Sequence, residues 1–210
     1  MDKFIVVAGN IGAGKSTLVK LLSERLGFKP FYEPVNDNPY LADFYENMEK
    51  WAFHSQLYYL TRRLLIHKEL LGVDGSVIQD RSVYEDAEIF ARNLYLQGDI
   101  STRDFSVYQD LYRILITLLP PPNLIIYLQA SVETLSQRIA LRGREYEASI
   151  PQDYLGRLNT LYEDWMSKFT ESPILVIPSD SLNLVADYAH IQKVVDAVQE
   201  KLTGRTVMKL

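Results

Sequence analysis

The chain has 210 residues, is 47% hydrophobic and 23% charged, and carries a net charge of −5, which suits one sizeable α/β domain with a true core. An acidic balance, with a pI near 5.3 and no basic stripe, argues against general affinity for nucleic acid or an anionic membrane, so small-molecule partners are expected. The absence of cysteine excludes disulfides and thiolate chemistry and is compatible with a reducing cytoplasm. No segment approaches the roughly 20 apolar residues of a membrane span, and a first strand at about residue 4 leaves no room for a signal peptide; a cytoplasmic location is expected.

In chain order, the apolar run Phe4-Ile-Val-Val-Ala8 reads as a buried parallel strand. It leads into Gly9-Asn10-Ile11-Gly12-Ala13-Gly14-Lys15-Ser16-Thr17 and then into a leucine-rich helix closed by Gly27. This is the pattern of a phosphate-binding loop, whose backbone N–H groups converge on an anion at a helix N-terminus. Lys15 is placed to reach the terminal phosphates of a nucleoside triphosphate as a point charge, and the Ser16 hydroxyl to coordinate the Mg²⁺ that bridges them. Lys29-Pro-Phe-Tyr-Glu33-Pro34 is a short extended piece, because a residue before proline is pushed out of helical geometry. Helical patterns cover about 38–47 and 49–71, 83–96 and 101–118, 131–141, 151–170 and 187–202. Strands fall at about 4–8, 28–32, 76–80, 123–128 and 174–178. Their alternation with helices calls for a five-stranded parallel sheet covered on both faces, with ligands at the carboxyl ends of the strands. No linker or repeat divides residues 1–210, and one domain is expected.

Three strand ends carry chemistry: the phosphate loop, Glu33-Pro34, and Asp80-Arg81-Ser82. Together with the arginine-rich stretch Arg138-Ile-Ala-Leu-Arg142-Gly-Arg144, they resemble the deoxynucleoside kinase family over about residues 1–180. The resemblance implies a three-layer P-loop fold of the nucleoside and nucleotide kinase type, with a lid at about 138–150. It also implies roles. Glu33 is similar to the family's catalytic carboxylate, which accepts the proton of a 5′-hydroxyl as it attacks the γ-phosphorus. Asp80 resembles the acid facing the metal or its waters, and Arg81 the arginine that holds Glu33 and the attacking oxygen. Arg138, Arg142 and Arg144 correspond to the lid over the phosphates. Arg138 and Arg142 are four apart on one helical face, so both can point to the same place.

Gln56, Tyr59 and Arg63 lie at i, i+3 and i+7 on one face of the long helix at 49–71. Gln56 matches the family's base-reading glutamine, and a glutamine amide can pair with a base edge. Tyr45 and Glu147 match partners of the sugar 3′-hydroxyl. Asp86 and Phe90 share another helical face, Phe90 as a stacking surface for the base and Asp86 near Arg63. Plain packing is the competing reading of Tyr45, Tyr59 and Phe90, and Asp86 is one of several acids in a helix's first turn. His54 and His67 are structural, since no metal-ligand set accompanies them.

The resemblance implies an ATP-dependent deoxynucleoside kinase using Mg²⁺ and acting in nucleotide salvage. Purine deoxynucleosides are expected ahead of deoxycytidine, and thymidine last. Homodimers built through helices 49–71 and 101–118 are expected as well. Two alternatives compete. A nucleoside monophosphate kinase shares the fold but needs arginines where Glu33 and Asp80 stand, and a non-catalytic accessory subunit of similar sequence would need no intact chemistry.

Overall fold

The computed structural model describes residues 1–32, 37–144, 147, 150–183 and 188–203. Among them, five strands form one parallel sheet in the order β2-β3-β1-β4-β5: β1 (Phe4–Gly9), β2 (Lys29–Phe31), β3 (Val77–Asp80), β4 (Leu124–Gln129) and β5 (Ile174–Pro178). The central strand β1 pairs Ile5–Gly9 with Leu124–Leu128 on one side and Phe4–Val7 with Val77–Asp80 on the other. The chain leaves β1 for the edge strand β2, returns to β3 beside β1, and then crosses to β4 on the opposite side. The reversal therefore lies at the carboxyl end of β1, where open α/β sheets form their ligand crevice.

Side chains alternate across this sheet as the pleat requires, and the two faces pack two separate cores. Phe4, Val6, Ala8, Ile125 and Tyr127 meet α3 (Met48–Leu71), α6 (Thr102–Leu118) and α8 (Gln152–Lys168). Ile5, Val7, Leu124, Ile126 and Leu128 meet α1 (Lys15–Leu26), α7 (Val132–Arg142) and α9 (Tyr188–Thr203). Side-chain caps mark the starts of α3, α6 and α7. Asn47 accepts from the Lys50 N–H, Ser101 from Asp104 and Ser131 from Thr134.

Strand positions agree with the sequence reading to within a residue or two. The helix expected over about 38–47 is shorter, α2 (Leu41–Glu46). The one expected over about 83–96 is not uniform. It opens as α4 (Val83–Glu85), widens into a π-helical turn at Asp86–Ala91, and closes as α5 (Arg92–Gln97).

Candidate active site

The phosphate loop joins β1 to α1 and is held from below by its own side chains. Gly12 has φ 83°, and a Cβ there would come within 2.8 Å of the Leu135 carbonyl oxygen, so only glycine fits. The Asn10 side chain accepts from the Ile11 N–H at 2.7 Å and donates to the Leu155 carbonyl at 3.0 Å and to Asn159 at 2.7 Å. It shapes the loop and ties it to α8. Lys15 is buried, and its ammonium donates to the Asn10 carbonyl at 3.0 Å.

Ser16 and Asp80 meet across the crevice, the hydroxyl donating to Asp80 Oδ2 at 2.5 Å. Asp80 Oδ1 is buried with no hydrogen-bond partner among the described residues. These residues fit a Mg²⁺ that arrives with its nucleotide: one hydroxyl, one carboxylate, and no group of three or more acidic or histidine ligands among the described residues. When bound, the ion would neutralise charge on the transferring phosphoryl group.

Two cavities open at the carboxyl ends of the strands. One runs from the phosphate loop across Asp80 and Arg81 to Tyr45, Gln56 and Phe90. The other is bounded by Gly14, Thr17, Arg138, Ser179 and Asn183. Gly12, Lys15, Ser16, Arg142 and Arg144 line both, so the cavities meet over the lysine and under the arginine-rich turn. An acceptor in the first cavity and a triphosphate in the second would face each other there.

At the far end of the first cavity, Gln56, Tyr59, Asp86 and Phe90 all line the wall, as their helical spacing anticipates. Arg63 lies behind them, 2% exposed, and donates to both Asp86 oxygens, from Nε to Oδ2 at 3.0 Å and from Nη2 to Oδ1 at 3.2 Å. Its Nη1 donates to the carbonyls of Asp80 and Arg81 at 3.2 and 3.3 Å. Both Asp86 oxygens are thus held by Arg63, and Asp86 lines the cavity as an acceptor. Tyr45 lines the near side of the same cavity. Phe90 also carries the Arg81 guanidinium 4.2 Å above its ring.

Glu147 is buried and receives hydrogen bonds from both Arg142 and Arg144, the latter at 3.3 Å. Two of the lid arginines are therefore joined to the residue that resembles a sugar-binding group. Arg138, expected to point to the same place as Arg142, lines the second cavity with it. It donates to the Ala13 carbonyl at 3.2 Å and the Ser179 carbonyl at 2.6 Å, tying the phosphate loop to the end of β5. Helical spacing alone could not show this, because carbonyls freed at the loop and strand end compete for the guanidinium. Glu33, the expected base, lies outside the described residues, as do positions 145, 146, 148 and 149 of the lid.

Sequence reasoning missed Glu85. Its carboxylate is completely buried at the base of the phosphate loop, accepting from the Gly9 N–H at 3.2 Å, the Tyr162 hydroxyl at 2.8 Å and the Ser82 N–H at 2.9 Å. Burial raises its pKa, while the Arg81 and Lys15 charges and the bonds from Tyr162 and Gly9 pull the other way. The readable signal was Ser82-Val-Tyr-Glu85, a capping box that the structure forms in full.

The model of the deoxynucleoside kinase family matches residues 5–203. A deoxyadenosine/deoxycytidine kinase of Bacillus subtilis is 39% identical over 199 residues, covering 94% of this chain and 92% of that one. A deoxyguanosine kinase of Lactobacillus johnsonii is 38% identical over 207 residues, with 94% and 92% covered. Among solved structures, deoxyadenosine kinase from M. mycoides with bound dATP superposes with a TM-score of 0.82 at 31% identity, over 93% of this chain and 99% of that one. Since the match runs from the first strand into the last helix, the chain belongs to the deoxynucleoside kinase family, and it is an ATP-dependent phosphotransferase acting on deoxynucleosides.

Proposed function

We propose that the chain transfers a phosphoryl group from ATP, with Mg²⁺, to the 5′-hydroxyl of purine deoxynucleosides, deoxyadenosine or deoxyguanosine first, deoxycytidine second and thymidine last. The buried Arg63–Asp86 pair carries this reading. An ionised carboxylate only accepts hydrogen bonds, so Asp86 suits the exocyclic amino group of adenine or cytosine or the ring N–H of guanine. Thymine offers a methyl and a carbonyl to the same corner, and a carbonyl facing a carboxylate sets acceptor against acceptor with no hydrogen bond between them. Relatives named for deoxyadenosine and deoxycytidine together, and for deoxyguanosine, support these three as acceptors. In the proposal Gln56 pairs with the base edge, Phe90 and Tyr59 pack on the base, and Tyr45 and Glu147 hold the 3′-hydroxyl. Glu33 takes the proton, Arg81 orients the attacking oxygen, and Lys15 with the lid arginines stabilises the charge of the transferring group.

The test is kcat/KM for all four deoxynucleosides on the wild type and on Arg63→Met with Asp86→Ala. The double variant should shift the ratio of thymidine to purine use upward by about tenfold or more. A preference that does not move would show that this pair does not read the base. Association of two chains through the apolar outer stripe of α6 belongs to the same proposal.

A further inference from the structure

We propose that Glu85 and Tyr162 act as one positioning unit, fixing the Gly9 peptide and the turn at Arg81 so that the donor loop and the acceptor arm keep a single spacing. Gly9 is the last residue of β1 and the first of the phosphate loop. The unit meets both polar groups of this residue: its N–H donates to Glu85 Oε1 at 3.2 Å, and its carbonyl lies 2.8 Å from the Tyr162 hydroxyl, whose single hydrogen is shared between that carbonyl and Glu85 Oε1. A Cβ at Gly9 would stand 3.0 Å from the Leu128 carbonyl oxygen, so the loop starts in a slot with no room to drift.

The other carboxylate oxygen, Oε2, holds the opposite side of the crevice. It accepts from the Ser82 N–H at 2.9 Å and the Ser82 hydroxyl at 3.2 Å. Ser82 follows Arg81, the one non-glycine residue with positive φ among the described residues, at 64°. A left-handed conformation costs a residue with a Cβ of order 1–3 kcal/mol and persists only where its surroundings over-determine it. Here the Arg81 N–H is bound to the Val7 carbonyl at 3.0 Å, the next N–H to Glu85, and the guanidinium to the Tyr162 hydroxyl at 3.3 Å. Four donor groups surround the one carboxylate, two from the backbone and two hydroxyls, the Tyr162 hydrogen being shared with the Gly9 carbonyl. One buried side chain thus spans from the loop that cradles phosphate to the segment that carries Asp80 and Arg81.

The experiment uses Glu85→Gln, Tyr162→Phe and the double variant, with ATP and whichever deoxynucleoside the wild type turns over fastest. Rates are normalised to the number of nucleoside-binding sites measured by calorimetry, which removes any unfolded fraction. An amide in place of the carboxylate cannot accept from both sides, and a misplacement of about 1 Å can cost about 10²-fold in rate. We expect kcat per site to fall by about 10- to 100-fold in Glu85→Gln and by about 3- to 10-fold in Tyr162→Phe, with the deoxynucleoside KM within about threefold of wild type. The double variant should be no slower than Glu85→Gln alone, as for groups that act together. A kcat per site within about twofold of wild type, or a loss carried by nucleoside KM with kcat held, would overturn the proposal. Should Glu85→Gln fail to fold, the same criteria apply to Tyr162→Phe, which removes a single oxygen.

Discussion

His67 sits on the buried face of α3, 2% exposed, with its ring edge-to-face against Phe4 at 5.6 Å. Burial, and then the charge of Arg63 one turn earlier, lower its pKa from 6.5 to about 4. The unfolded chain therefore takes up a proton before the folded one. Stability tied to the neutral ring is complete above about pH 6.5, falls as the pH drops toward about 4, and amounts to roughly 3 kcal/mol. His67→Asn should melt at a lower temperature than wild type at pH 7, with the gap narrowing by pH 4.5. Acid losses from Asp164 and Asp180, whose hydrogen-bonded carboxylates titrate below the usual range, are common to both proteins and cancel in the comparison. An equal gap at both pH values would mean that His67 does not titrate this way. At this scale the sequence was legible where a side chain has one evident task. Lys15, Gln56 and Asp86 fall where spacing puts them, whereas Glu85 hides among Glu85, Asp86 and Glu88, acids that a helix's first turn favours for electrostatic reasons alone.

Among the elements, strands were easiest to read, since a buried parallel strand is a short continuous apolar run such as Leu124–Leu128. The π-helical turn at Asp86–Ala91 carried no local signal in the sequence, and it contributes Asp86 and Phe90 to one cavity. Helix α6 divides cleanly. Phe105, Tyr108, Tyr112 and Leu115 are buried, while Val107, Ile114 and Leu118 are 58–65% exposed and form with Leu111 a stripe on the opposite face. A row of four apolar side chains left in water is costly for a lone chain and is removed if two copies meet. Sedimentation should give twice the 24.2 kDa chain mass for the wild type and the single-chain mass for Ile114→Glu, with secondary structure retained. A wild type that sediments as one chain at micromolar concentration would remove this interface.

For the molecule as a whole, strand order is what sequence could not supply. Alternating strands and helices specify a parallel sheet, but the sequence β2-β3-β1-β4-β5 depends on which strand each crossover returns beside. That order sets β3 next to β1, and so brings Asp80 to Ser16 and Glu85 under Gly9. The crevice it creates has two arms joined at Lys15, which the proposed function gives to a triphosphate and to a nucleoside. The acceptor arm is lined by carboxylates from Asp80, Asp86 and Glu147 and by the guanidinium groups of Arg81, Arg142 and Arg144, so neutral and phosphorylated acceptors are both part of the test. The deciding measurement is ADP release from Mg–ATP with a panel of acceptors: the four deoxynucleosides, their monophosphates and 2′,3′-dideoxyadenosine. Deoxyadenosine or deoxyguanosine should turn over fastest, deoxycytidine next and thymidine last. The monophosphates should be inert, and the dideoxy compound should lose up to about 10⁴ in kcat/KM for want of the hydroxyl assigned to Tyr45 and Glu147. Turnover of a monophosphate ahead of every nucleoside, or of thymidine ahead of both purine deoxynucleosides, would contradict the assignment.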